Sequence, residues 1–329
     1  MRIGVLCSGG DSPGMNPCIR AIVRASGLYR HEVVGIRHGY QGLLDADFFD
    51  GGGRYNVLGI REVSGLTSRG GTILHSSRSA DYSKPDGPAR AAEILTRHHF
   101  DALIVIGGNG SLTGALDLTR QWKGQVIGIP GTIDNDVLGT DATIGFPTAI
   151  QTAVEAIDKL RDTAGSHDMM FIVEVMGRHC GDLALRTAVA GGCEIVAVPE
   201  IPTDIPKIVE KLKYYRELGK RSMVMVVAEG DDMGGAYNMM NALKEGGSPY
   251  EMRVVVLGHV QRGGTPCPGD RLLAAVLGVG AIEAIQHGES GKMVGYINSK
   301  LKLSPLEEVI ASHRELTDGM MHLLDALST

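Results

Sequence analysis

The feature that most constrains the fold of this chain is an end-to-end alternation of short, near-continuous apolar runs with amphipathic helical stretches. The runs "RIGVLC", "EVVGIR", "ALIVIGG", "QVIGIPG", "MMFIVEV", "EIVAVPE", "SMVMVVAEG", "RVVVLGH" and "KMVGYIN" are β-branched and lack period-two alternation. Strands read this way when both of their faces are covered. Between them, "TAIQTAVEAIDKLRDT" sets Ile150, Val154, Ile157 and Leu160 on one helical face. Glu155, Lys159 and Arg161 are left for solvent or ligand. Alternating β and α predicts an α/β protein with a doubly wound parallel sheet, and 329 residues suffice for two such lobes.

The bulk numbers exclude several classes. A hydrophobic fraction of 43% with 21% charged residues is that of an ordinary globular chain. The 46 glycines cluster directly after apolar runs, where tight strand-end loops are needed. A net charge of −6 gives a nucleic-acid partner no global electrostatic support. The five cysteines (Cys7, Cys18, Cys180, Cys193, Cys267) form no CxxC pair and read as buried thiols. No apolar run approaches membrane-spanning length, and "MRIGVLCSGG" reads as a strand entering a loop. The expectation is a cytoplasmic protein with no membrane partner.

In doubly wound folds ligands collect at the C-terminal ends of the strands. Those ends read "CSGGDSPGMN", "GGNGS", "PGTIDND", "VMGRHCGD", "AEGDD" and "GHVQRGG", and nearly every one pairs glycine with Asp, Glu, Arg or His. Together they suggest a single polar cleft. In "IGGNGSL" an apolar strand runs into glycines and out into a helix, a shape suited to phosphate. "CSGGDSPGMN" has Gly9 and Gly10 followed by Ser12-Pro13 opening a helix. It is neither a Walker A loop nor a GxGxxG fingerprint, and reads as a phosphate site or a plain βα turn. "PGTIDND" places Thr132, Asp134 and Asp136 at alternate positions, so an extended segment would point a hydroxyl and two carboxylates one way. That set suits phosphoryl transfer to an alcohol, with one carboxylate as base and another near a metal. An Asx-turn cap is the other reading. Arg178, His259 and Arg262 follow strands and could give planar donors to a phosphate or sugar.

Taken in order, "GVLCSGGDSPGMN", "PGTIDND", "VEVMGRHCGDLAL", "AGGCE" and "LGHVQRGG" closely resemble the ATP-dependent 6-phosphofructokinases of the bacterial tetrameric type, from Arg2 to about Ile297. The resemblance implies transfer of the ATP γ-phosphoryl to the 1-hydroxyl of fructose 6-phosphate, with Mg2+, in a homotetramer. It implies two Rossmann-like lobes with the active site in the cleft between them. The larger, ATP-binding lobe would take 1–145 plus 260–310, and the smaller, sugar-phosphate-binding lobe 146–259 plus 311–329. By the same resemblance Asp134 is the general base beside Thr132, Asp136 lies near the metal, and Arg178 stabilises the transferring phosphoryl. Met176, Gly177, Glu229, His259 and Arg262 resemble the sugar-phosphate pocket, and Arg253 the arginine lent to it by a neighbouring subunit. Gly10, Arg78, Gly108, Gly110 and Ser111 resemble the nucleotide cradle.

Three positions depart from that pattern. Asn109 stands where the family usually has an aspartate on magnesium, and Met169 where it usually has an arginine reaching the 6-phosphate. The helix expected before "EVSGLTSRGG" and the segment "LGKRS" match the family's allosteric pocket in part. Arg20, Arg24, Arg161, Glu194 and Lys220 are retained, while Ile60, Gly65 and Leu218 replace polar residues. Two other functions compete. A pyrophosphate-dependent relative would carry Asp at Gly110 and Lys at Gly131; here both are glycine, which favours ATP. A non-catalytic nucleotide or sugar-phosphate sensor would be supported by Asn109 and Met169, yet would need none of Thr132, Asp134, Asp136 and Arg178.

Overall fold

Each apolar run becomes a strand in the computed structural model, which describes residues 1–49, 57–312, 314, 316 and 318–328. The chain begins β1 (Arg2–Ser8), α1 (Met15–Leu28), β2 (Glu32–Ile36), α2 (Gly39–Leu44), α3 (Gly87–Arg97), β3 (Ala102–Gly107), α4 (Asn109–Thr119), β4 (Gln125–Thr132) and β5 (Ile144–Gly145). It continues through α5 (Phe146–His167), β6 (Met169–Val175), α6 (Asp182–Ala190), β7 (Ile195–Ala197), α7 (Ile205–Glu217), β8 (Met223–Ala228), α8 (Ala236–Glu245) and β9 (Glu251–Val256). It ends with α9 (Pro268–Gln286), β10 (Lys292–Ile297), β11 (Lys300–Pro305), α10 (Leu306–Ala311) and α11 (Asp318–Leu327). Two compact units result. Unit 1 is Met1–Thr132, Asp136–Thr148 and Arg262–His313; unit 2 is Ile133–Asn135, Ala149–Gln261 and Arg314–Thr329.

Unit 1 is built on a sheet of order β11-β10-β4-β3-β1-β2, with β5 beside β4. At its centre Leu6 lies opposite Val105 on one side and Ile36 on the other. Successive residues of one strand enter opposite cores, which is why the runs are apolar throughout. Ile104 and Ile106 join Ile19, Ile22, Leu277 and Ala281 of α1 and α9, whereas Leu103 and Val105 join Leu95, Leu112 and Leu306 from the other face. Each such side chain, fully buried, contributes about 1.5–3 kcal/mol. Gly4 sits where a Cβ would lie 3.0 Å from Leu103 Cδ1, so a side chain at this point of the β1–β3 pair would require its neighbours to shift.

Two strands of this sheet, the two-residue β5 and the edge strand β11, escape the pattern used to find the others. β11 pairs antiparallel with β10 through a two-residue turn, Asn298-Ser299, whose φ values are 49° and 61°. Two positive φ values match the primed hairpin turn that follows strand twist. Its sequence "KLKLSP" alternates because it is a half-exposed edge.

Unit 2 holds a parallel sheet of order β7-β8-β6-β9, in which Ile172 lies opposite Met225 and Val254. Phe171, Val173, Val224 and Val226 face a core with Ala184, Leu185 and Leu324, and Met170, Ile172, Met225 and Val227 face one with Leu212, Tyr215 and Leu243. α5 runs as expected, but its most buried stripe is Ala149, Ala153, Ile157 and Ala164, with Ile150, Val154 and Leu160 only half-buried. Small residues let the helix approach closely.

Two local expectations are corrected. The first helix opens at Met15 behind a left-handed Gly14, not at Ser12-Pro13, and the Ser12 hydroxyl donates to the Ile144 carbonyl. No helix precedes "EVSGLTSRGG" within residues 57–61, which form a bridge at Val57 and then a turn. The rest of that stretch, 50–56, lies outside the described residues.

Candidate active site

In unit 1, β1 and β3 are adjacent and parallel, so their C-terminal loops lie side by side. The Ser111 hydroxyl, on the first turn of α4, donates to the Ser8 carbonyl at 2.9 Å and fastens the two loops together. Beneath α4, Tyr40 and Tyr82 stack and donate to the carbonyls of Ser111 and Gly114, each at 2.7 Å. Burial pushes both phenols up, so both stay donors. The cradle Gly108, Asn109, Gly110 and Ser111 therefore sits at a supported helix N-terminus, where backbone N–H groups favour an anion. A Cβ at Gly110 would meet nothing within 4 Å, whereas one at Gly131 would come 3.0 Å from Ile106 Cγ2 and 3.3 Å from Met15 Cε. Gly10 is covered by the Arg262 guanidinium, which donates to the Asp11 carbonyl at 3.3 Å. Arg78 is exposed.

The segment after β4 does not stay extended. Residues 133 and 134 bend, and Asn135 takes a left-handed φ of 53°. The period-two reading of Thr132, Asp134 and Asp136 therefore fails: the first and last belong with unit 1 and Asp134 with unit 2. Asn109 Nδ2 donates to the Asp136 carbonyl at 3.1 Å. The Oδ1 atoms of Asn109 and Asp136 are both buried with no hydrogen-bond partner among the described residues.

In unit 2, Asp134 is 3% exposed and its Oδ2 lies 3.6 Å from Arg178 Nε. Gly177 has φ 135° and Arg178 φ 52°. A Cβ at Gly177 would strike the Cys180 carbonyl at 2.5 Å, so only glycine fits. The Arg178 N–H donates to Glu229 Oε1 at 2.9 Å, and the Met176 N–H to Gln261 Oε1 at 2.9 Å. His259 is exposed in the turn after β9. Asn135 Nδ2 donates to Asp182 Oδ2 at 2.6 Å, and Asp182 Oδ1 accepts from Arg186 Nε at 2.9 Å.

Met169 opens β6 and belongs to the unit 2 core that includes Phe171 and Val173. Arg253 is exposed on the edge strand β9, paired with Glu251 at 2.6 Å. Glu194 is 3% exposed and held by Lys220 at 3.2 Å, Arg161 at 3.8 Å and the Val224 N–H at 2.9 Å. Arg20 and Arg24 lie on α1 in unit 1.

Residues 2–285 match the sequence model of the family described as phosphofructokinase. The chain belongs to the phosphofructokinase family. It is 45% identical over 327 residues, 99% of each chain, to a Thermus thermophilus protein named ATP-dependent 6-phosphofructokinase 1. It is 45% identical to the ATP-dependent 6-phosphofructokinase of Paenibacillus macquariensis, over 99% of this chain and 98% of that one. Among solved structures, phosphofructokinase from Saccharomyces cerevisiae superposes with a TM-score of 0.84 at 33% identity. That match covers 99% of this chain and 48% of the yeast chain, so this phosphofructokinase spans about half of its length.

Three polar groups of this phosphofructokinase had no part in the sequence reading: Asn135, Asp182 and Gln261. Each lies inside a quoted motif, and each is buried and spends its side chain on a neighbouring loop. Their only sequence signal was an amide or acid between residues already singled out. Among the described residues no three His, Cys, Asp or Glu side chains are placed together to hold a metal. Among the described residues no helix is long and apolar enough to cross a membrane.

Proposed function

We propose that this chain is an ATP-dependent 6-phosphofructokinase, with Asp134 as the base and Arg178 as the phosphoryl-stabilising cation. The observation that carries this reading is the buried Asp134 carboxylate set against the half-exposed Arg178 guanidinium on two left-handed loop residues' flanks. Backbone held in such conformations costs about 1–3 kcal/mol per residue and is characteristic of working sites.

The chemistry follows from those groups. The 1-hydroxyl of fructose 6-phosphate attacks the γ-phosphorus as Asp134 accepts its proton. The bond from the γ-phosphorus to the β–γ bridging oxygen breaks, and ADP leaves with that oxygen. Arg178 donates to the equatorial phosphoryl oxygens, where charge accumulates. Gly10, Arg78, Gly108, Gly110 and Ser111 are assigned to the nucleotide. Met176, Gly177, Glu229, His259 and Arg262 are assigned to the sugar phosphate.

The orphaned Oδ1 atoms of Asn109 and Asp136 are hard oxygen donors that fit Mg2+. Bound there with ATP, it would neutralise phosphate charge.

Packing at Gly131 disfavours pyrophosphate as the donor, because a lysine there would have to displace Ile106 and Met15. Exposed Arg253 on an edge strand is consistent with service to a neighbouring subunit of a homotetramer. A cytoplasmic location fits free thiols throughout. The test is Asp134→Asn in a coupled assay for ADP. General-base loss is expected to lower kcat at least about a hundredfold with little change in KM for the sugar. A variant within a few-fold of wild type removes Asp134 from this role, and no turnover of fructose 6-phosphate by the wild type leaves the sensor.

A further inference from the structure

We propose that Asp182 is a positioning residue for phosphoryl transfer, acting through Asn135 on the loop that carries Asp134. The inference rests on the phosphofructokinase reading of Asp134. Asn135 is fully buried and left-handed, a conformation that asparagine tolerates but that the bend must still hold. The carboxylate that holds it is itself 3% exposed, and the bond is 2.6 Å long. An acid at the first turn of a helix is ordinarily a solvated partner of the helix dipole. Asp182 is not. Its Oδ1 takes Arg186, which offsets the buried charge, and its Oδ2 is spent on the loop one residue beyond the base.

On the other side, the Glu229 carboxylate holds the Arg178 N–H at 2.9 Å. Asp134 and Arg178 thus face each other from two left-handed bends, each secured by a separate acid. A displacement of about 1 Å in a reacting group can cost on the order of a hundredfold in rate. Losing the Asp182 bond therefore falls on kcat. The nucleotide cradle at 108–111 belongs to unit 1, whereas Asn135 and Asp182 belong to unit 2.

The experiment compares Asp182→Ala, Asp182→Asn, Asn135→Gly and Asp134→Asn, with kcat taken per folded molecule from far-UV circular dichroism. Asp182→Ala is expected to lower kcat at least about tenfold, with KM for ATP within about twofold of wild type. Asp182→Asn keeps an oxygen for Asn135 and is expected to recover most of that loss, though its pairing with Arg186 is gone. Should Asp182→Ala fail to fold, Asn135→Gly carries the test, since glycine accepts the φ of 53° and removes only the amide. It is expected to show the same kcat loss. Full kcat in Asp182→Ala or Asn135→Gly, with Asp134→Asn inactive, overturns the positioning role and leaves the base assignment standing. Full kcat in Asp134→Asn overturns the base assignment itself. Equal kcat losses in Asp182→Ala and Asp182→Asn would make the Arg186 pair the operative contact and also overturn the proposal.

Discussion

Replacing Asn109 by aspartate separates two jobs that this side chain can do. Its amide N–H₂ donates to the Asp136 carbonyl at 3.1 Å, and its Oδ1, like Asp136 Oδ1, is buried without a hydrogen-bond partner among the described residues. Aspartate cannot donate, so Asn109→Asp leaves a carbonyl without its donor and sets carboxylate oxygen against it. Unmaking a buried hydrogen bond in this way costs about 1–3 kcal/mol. The same change adds a second carboxylate to a position we assign to Mg2+. Without metal, the variant is expected to melt several degrees below wild type. With Mg2+ and ADP it is expected to regain more of its melting temperature than wild type does, because metal binds the native state alone. In the coupled assay at fixed ATP, half-maximal activity is expected at a magnesium concentration lower by at least about threefold, which corresponds to about 0.65 kcal/mol of binding. The two readouts must move together. If the metal-free melting temperature falls while the magnesium dependence stays put, position 109 serves the Asp136 backbone only, and the metal assignment is wrong.

Cysteine modification gives an independent check of the cores. Burial pushes the Cys7 and Cys193 thiols up to about 12 and the Cys18 thiol well above its usual range. At pH 8 a thiol of that kind is roughly one part in ten thousand thiolate, so native alkylation is expected to label only the half-buried Cys267; labelling of Cys7 or Cys193 at a comparable rate would contradict the packing. For assembly, sedimentation is expected to show a closed homo-oligomer, and Arg253→Ala is expected to raise KM for fructose 6-phosphate without dissociating it. A monomer with full specific activity refutes that assignment.

What the sequence made legible follows from two-sided burial. The strands β1, β3, β4, β6 and β8 are apolar along most of their length because alternate side chains enter different cores, and runs of that kind stand out without any alignment. β11 did not stand out, since one of its faces is exposed and its lysines alternate with leucines. In the candidate site, the glycine loops announced themselves, but the bend at 133–135 did not. No property of "TIDND" says that Asn135 turns left-handed, and Asp182, which accepts from its side chain, is 47 residues away. Met169 shows the same limit: its burial in a core depends on β6 lying between β8 and β9.

The same dependence on distant partners explains why a count of acids at strand ends overstates the polar character of a site. In unit 2 most of those acids hold backbone. Glu229 takes the Arg178 N–H, Glu200 takes that of Gly181, Asp231 takes those of Met233 and Gly235, and Glu174 takes that of Ala236. Glu194 and Asp232 do the same for Val224 and Thr203. Loops that leave a parallel sheet expose N–H groups with no ladder partner, and a nearby carboxylate is a strong acceptor for them. "AEGDD" is therefore chiefly a set of loop fasteners, although Glu229 also borders the assigned sugar pocket. Asp134 and Asp136 differ: the first faces a guanidinium, and the second keeps a buried oxygen free of protein partners among the described residues. Chemistry is assigned to Asp134 on its pairing with Arg178, and to Asp136 on that buried oxygen. It follows that Glu200→Gln and Asp231→Asn should act through stability, whereas Asp134→Asn and Asp136→Asn should act through turnover.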